Sequence, residues 1–197
     1  MKYHYDIEQG SDEWHLLRCG KFTASGISNL FMGKSTAGYN NYINSIVYGR
    51  LFNETSEDSF SNEWTIRGLE LEPEAISHYE MSTFNKVNRV GFVELSDWIG
   101  CSPDGLLGED GMIQIKCPKY STQIDYHLKG QIPKNYYYQI QGEIYITGRE
   151  WNIFYSYHPK LKPFMKKVKR DDKLISEIET KLNESIQVVK DRIELIK

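Results

Sequence analysis

The stretch Cys101-Ser102-Pro103-Asp104-Gly105, followed after a short loop by Met112-Ile113-Gln114-Ile115-Lys116-Cys117-Pro118, decides how the rest of the chain is read. Between the two halves stands Gly108-Glu109-Asp110-Gly111, which is tight-turn chemistry, so residues 98–102 and 112–117 are predicted to be two strands of a hairpin. Asp104 closes the first strand in a Pro-Asp-Gly turn. Strand side chains alternate, so Gln114 and Lys116 share one face while Ile113 and Ile115 point to the core. One patch then holds Asp104, position 114 and Lys116.

With a carboxylate at position 114, such a patch would bind one or two Mg²⁺ ions through oxygens. The ions would activate water and stabilise the charge of a phosphodiester transition state. The lysine would position the water and steady the developing anion. The pattern is weak in isolation. Asp before Gly is ordinary turn chemistry, and strand lysines are commonplace.

The flanking sequence supplies the frame. Ser11 is placed to cap a helix over residues 12–18, and Gly20 ends it. Thr23 or Ser25 caps a second, with Ile27, Leu30 and Phe31 on one face. A helix is expected over residues 39–52, an exposed polar loop over 53–62, and a helix over 63–81 interrupted by Gly68 and Pro73. Glu72 falls on the apolar stripe of that last helix, between Leu69 and Ile76. Either Pro73 shifts the register and leaves Glu72 in solvent, which spacing alone favours, or the carboxylate points at a cation, since an unpaired buried charge is costly. Residues 86–95 have β character. Residues 120–135 read as irregular, with a short helix near 125–128. A helix over 136–147 ends at Gly148. Strands follow at 151–157 and 163–170. Residues 172–196 form an amphipathic helix striped by Ile175, Ile178, Leu182, Ile186, Val189, Ile193 and Ile196. Helices, strands, a helix, a strand and a final helix predict a mixed α/β fold with a central sheet flanked by helices. Residues 1–197 are expected to form one domain, with a core over about 9–170.

A hydrophobic content of 40% excludes a disordered chain. No apolar run approaches the roughly 18 residues of a membrane span, and residues 1–6 lack the apolar core of a signal peptide. Cys19, Cys101 and Cys117 form no CxxC pair, so neither a zinc site nor a disulfide framework is expected. A reducing cytoplasm suits them. The net charge of -3 counts against a uniformly basic nucleic-acid binder but leaves room for a local basic lining.

The motifs taken together, from Gln9 to about Pro159, carry a resemblance. They are Gln9-Gly10-Ser11-Asp12-Glu13-Trp14-His15-Leu16-Leu17-Arg18, Phe22-Thr23-Ala24-Ser25, Arg67-Gly68 with Glu72, the opening stretch, and Gln139-Ile140-Gln141 with Tyr145. In this order they resemble the bacteriophage lambda exonuclease, or YqaJ-type viral recombinase, family within the PD-(D/E)XK nucleases, which have a restriction-endonuclease-like core. The resemblance implies a Mg²⁺- or Mn²⁺-dependent, processive 5′-to-3′ exonuclease on double-stranded DNA. Such an enzyme leaves a 3′ single strand for annealing recombination, forms a ring-shaped homotrimer and works with a single-strand annealing protein in the cytoplasm of a phage- or prophage-bearing bacterium. By residue, it implies Asp104, position 114 and the Ile115 carbonyl as metal ligands, Lys116 as the catalytic lysine and Glu72 as an indirect metal helper, which reverses the reading from spacing. It implies Arg18, Ser25 and Ser102 as a 5′-phosphate pocket, a ligand that an arginine fork and two hydroxyls suit. Gln141 and Tyr145 become supporting residues. A ring would let Lys129, Lys134, Lys160, Lys162, Lys166 and Lys167 line a channel. Trp64 is either a wedge at the duplex fork or a core residue.

The family has glutamate where this chain has Gln114. Glutamine keeps the shape but loses the charge and one metal-binding oxygen, and it gains a donor that repels a cation. The chain is therefore expected to bind DNA while cleaving it slowly. Three explanations stand. The substitution is deliberate, it is natural in a non-catalytic DNA-end-binding protein, or a neighbouring carboxylate such as Glu72 compensates. The intact remainder of the site favours the first. A site-specific endonuclease on the same core is the other alternative.

Overall fold

The computed structural model describes residues 1–54 and 63–197, apart from the side chains of residues 63–66 and 69. The expected loop beyond residue 54 and the Trp64 wedge lie outside the described residues. Strand β1 (Lys2–His4), helix α1 (Asp12–Arg18), strand β2 (Phe22–Thr23), a 3-10 turn (Ala24–Gly26) and helices α2 (Ile27–Leu30), α3 (Ala37–Phe52) and α4 (Glu63–Thr83) come first. Strands β3 (Phe92–Ser96), β4 (Ile99–Cys101), β5 (Gly105–Leu107) and β6 (Gly111–Lys116) follow, then helices α5 (Tyr120–Lys129) and α6 (Lys134–Thr147), strands β7 (Trp151–His158) and β8 (Leu161–Lys169), and helix α7 (Asp172–Ile196).

Several ends form as local chemistry dictates. The Ser11 hydroxyl accepts the Trp14 N–H, and Gly148 ends α6 in the left-handed conformation that costs glycine least. Helix α4 runs through Pro73 without stopping, so the proline does not displace Glu72 from the stripe. Helix α5 spans ten residues, where the sequence suggested an irregular segment with one short helical piece. Buried Gln123 explains its length. Its amide donates to the Ser156 and Lys162 carbonyls and accepts the Ser156 hydroxyl, clamping α5 to the sheet.

The strands divide into two four-stranded mixed sheets, ordered β1-β3-β4-β2 and β5-β6-β7-β8. This revises the hairpin. Residues 99–101 pair with β2 and β3 in the first sheet, and the partner of β6 across the turn is the short strand β5. Asp104 therefore stands at the crossing between sheets. Pro103 donates no hydrogen bond, which suits a ladder end. The Gln9 amide donates to the Val90 and Pro103 carbonyls at 2.9 Å each, pinning the crossing. Gly105 is needed there, since a Cβ would lie 2.2 Å from Val87 Cγ1.

Strands β6 and β7 run parallel and are covered on both faces. Met112 and Phe154 pack into the larger core with Ile140, Ile144 and Ile178. Ile113, Ile115, Ile153 and Tyr155 face the smaller core against Ala75 and Tyr79 of α4. The even-numbered side chains, Gln114 among them, thus lie under α6. In α7, Ile175, Ile178, Leu182 and Val189 are buried while Ile196 is exposed. No helix among the described residues is long and apolar enough to cross a membrane.

Candidate active site

Strand β6 begins the site. Asp104 is half-buried with its carboxyl turned inward: Oδ2 accepts the Ile115 N–H at 2.6 Å and also the Gln114 amide. The hairpin brings positions 104 and 114 together as the spacing required, through β5. Lys116, two residues along the same face, is half-buried with its Nζ 5.3 Å from the centre of the Tyr136 ring. Glu72 reaches the same region from α4 and is ion-paired with Arg89 at 2.5 Å. Burial pushes the Asp104 carboxyl up to about 6 against the pull of Lys116; Glu72 adds to the rise, and the Ile115 N–H and Arg89 oppose it.

A second carboxyl stands behind the first. Gln139 Nε2 donates to Gln114 Oε1 at 2.6 Å and to Glu143 Oε1 at 3.0 Å. The other Glu143 oxygen accepts Asn152 Nδ2 at 3.0 Å. Glu143 is 1% exposed. Burial lifts it to about 8, the nearby Asp104 charge adds, and Gln139, Lys116 and Asn152 only partly compensate. Glu143 was not singled out from the sequence. The available signal was helical spacing: four residues from Gln139, it shares that residue's face. Gln141 and Tyr145 lie on a different face. Gln141 is buried, donates to the Lys169 carbonyl at 2.8 Å and accepts the Asp171 N–H at 3.0 Å, so it ties β8 and α7 to α6. Tyr145 interacts with Glu179 of α7.

Arg18 and Ser102 meet just past β4, and Ser25 follows β2, the neighbour of β4 in the sheet. Ser102 Oγ accepts from Arg18 and from the Trp14 indole, both at 2.9 Å, and the Arg18 guanidinium lies 4.1 Å from the Trp14 ring centre. Tyr42 is close to Arg18, and its hydroxyl accepts the Thr23 N–H at 3.3 Å. Thr23 in turn lies 3.2 Å from the exposed Ser25 hydroxyl. Arg67 donates to the Cys117 and Pro118 carbonyls and fixes the exit of β6. The six lysines are exposed on α5, α6 and the β7–β8 hairpin, although Lys129 pairs with Asp125 and Lys167 stacks on Trp151.

Among the described residues, no three His, Cys, Asp or Glu side chains close on a single point. The donors nonetheless suit one weakly held Mg²⁺. Asp104 supplies a carboxylate oxygen and Ile115 a backbone carbonyl, and phosphate and water can complete such a shell. Gln114 turns its amide nitrogen to Asp104 while its oxygen is held by Gln139, so in this arrangement it offers the cation no oxygen. Both carboxyls are pushed up by burial, and the buried Asn152 Oδ1 has no hydrogen-bond partner.

A carboxyl whose native pKa exceeds its unfolded value binds its proton more tightly when folded. Its stabilisation is complete below the unfolded pKa and is lost as pH rises through the folded one. In EDTA, the melting temperature is expected to fall by several degrees between about pH 4.5 and about pH 8, the window set by Glu143. A flat profile would contradict the assignment.

The mixed α/β architecture is that of exonucleases with a PD-(D/E)XK-like fold. The chain is similar to an alkaline exonuclease (LHK-Exo) from Laribacter hongkongensis, with 34% identity, a TM-score of 0.87, and 94% of this chain and 96% of that one covered. Against the structure of LHK-Exo in complex with dAMP the figures are 35%, 0.88, 95% and 96%. A phage related exonuclease from Haemophilus somnus 129PT shares the fold at 15% identity and a TM-score of 0.71, over 90% of this chain and 96% of that one. No curated protein matches. The YqaJ-like viral recombinase domain matches residues 13–150, and the chain belongs to that family.

Proposed function

We propose that this protein acts at the ends of double-stranded DNA as a Mg²⁺-dependent 5′-to-3′ exonuclease whose chemistry Gln114 has weakened. The observation that carries the reading is the convergence of Asp104, Gln114 and the Ile115 N–H at a strand end, with Lys116 on the same face and Arg18, from the end of α1, paired with Ser102 just past β4. Alkaline exonuclease relatives, one solved in complex with dAMP, support DNA as the substrate.

In this reading Asp104 and the Ile115 carbonyl hold one cation, and Gln114 stands in the second ligand position without a carboxylate to offer. When bound, Mg²⁺ would polarise the scissile phosphodiester and make water a better nucleophile. Lys116 orients the attacking water and steadies the charge that builds on the phosphate. Arg18, stacked on Trp14, and the Ser25 and Ser102 hydroxyls hold the terminal 5′-phosphate. Glu72 shapes the field at Asp104. A homotrimeric ring would place the exposed lysines around the duplex, account for processivity, and reconcile DNA binding with a net charge of -3. A single-strand annealing protein would receive the 3′ strand in the cytoplasm of a bacterial host.

End binding tests this reading without requiring cleavage. The chain is expected to prefer 5′-phosphorylated over 5′-hydroxyl duplex ends, and Arg18→Ala to lose roughly tenfold or more in affinity for the phosphorylated end, the worth of one charge-assisted bidentate contact. Tight binding to closed circular duplex, or an equal response to both ends, would favour the endonuclease alternative.

A further inference from the structure

We infer that Glu143 carries the negative charge that position 114 lacks, so that a cation held at Asp104 is balanced by a buried carboxylate two amides behind it. The inference rests on the exonuclease reading above.

Glu143 is buried, and both of its oxygens face only neutral amides, those of Gln139 and Asn152. An isolated charge in such a place is expensive unless something positive arrives. Lys116 is near enough to favour the ionised form, but the described salt bridges include none to Glu143. The link to the site is direct: the Gln139 NH₂ group touches both Glu143 and Gln114, and Gln114 touches Asp104. Asn152 Oδ1, beside Glu143, has no partner, so this corner is short of donors. Glu72, the other nearby acid, is held by Arg89 in an ion pair. Glu143 is thus the carboxylate available to compensate for Gln114. It is a positioning residue, acting across Gln139 through its charge, as outer-shell partners of metal ligands do.

The test compares the unaltered chain, Glu143→Gln, Gln114→Glu and the double variant, with Mn²⁺ binding followed by electron paramagnetic resonance and folding by thermal melts in EDTA. The unaltered chain is expected to bind one Mn²⁺, and Glu143→Gln to bind it roughly tenfold or more weakly. The double variant, with its carboxylate moved to position 114, should recover at least the original affinity. A merely structural role for Glu143 would not be rescued by a charge placed elsewhere. Above about pH 8, where Glu143 is ionised, Glu143→Gln should melt no lower than the unaltered chain in EDTA, because it removes an uncompensated buried charge. Gln139→Met is a second test that leaves Glu143 in place, and it should retain most of the affinity. Unchanged Mn²⁺ binding in Glu143→Gln, or an equal loss in Gln139→Met, would overturn the inference and leave Glu143 as an anchor for the Gln139 amide. Gln114→Glu alone judges the parent reading: Mn²⁺ binding and end-digestion by that variant uphold it whatever Glu143 does. Absence of Mn²⁺ binding in all four proteins would remove both.

Discussion

Gln114→Glu should raise Mg²⁺-dependent release of nucleotides from 5′-phosphorylated linear duplex by about a hundredfold or more, the scale on which a single preorganised electrostatic contact acts at a transition state. The substitution adds a carboxylate oxygen beside Asp104 without changing side-chain size. It also removes the amide donor that now faces Asp104 and places two like charges together, with Glu143 behind them. In EDTA the variant should therefore melt below the unaltered chain, since neighbouring carboxylates resist joint ionisation. Mg²⁺ should reverse the deficit, adding about 2.7 kcal/mol when present at a hundred times its dissociation constant. An assay with linear and circular duplex, run with and without Mg²⁺, reads both effects. No gain in digestion would sink the assignment of Gln114 as the limiting residue and favour a non-catalytic DNA-end-binding protein.

Phe154→Ala is expected to cost about 3–5 kcal/mol of folding stability, lowering the melting temperature by roughly 10 °C for a chain of this size. Phe154 is fully buried at the centre of an aromatic group, with ring centres 5.6 Å from Tyr126, 5.7 Å from Tyr136 and 6.3 Å from Phe164. It joins α5, α6 and β8 to the strand beside β6. Its register partner is Gln114, so the cavity would open next to the candidate site. DNA-end binding should weaken even below the melting temperature. Chemical denaturation with tryptophan fluorescence gives the stability, and a loss under about 1 kcal/mol would mean that the core collapses to fill the gap.

Much of the site was legible because its residues are close in sequence or locally constrained. Ser11 caps α1 as its hydroxyl and the following acids predict, and Asp104, Gln114 and Lys116 meet because one tight hairpin brings them together. Strand alternation correctly set Gln114 and Lys116 opposite Ile113 and Ile115. It could not reveal that both faces are covered, because a central parallel strand carries side chains into two cores at once. Residues 99–101 looked like the partner of β6, yet the hydrogen bonds go to another sheet. Three-residue strands such as β5 have too few alternating positions to register.

The sequence by itself determined the fold class, the family motifs and the flaw at Gln114, since each rests on residue identity and short-range spacing. Only the tertiary structure decided which face of α6 meets β6. Gln139 and Glu143 turn toward Gln114, while Gln141 and Tyr145 turn toward β8 and α7. The reason is geometric. Residues two apart on a helix point nearly opposite ways, and the choice between them belongs to packing, which buries Ile140 and Ile144 in the shared core. A glutamate that looked like any other helical acid therefore stands, once the chain is folded, two amides from Asp104.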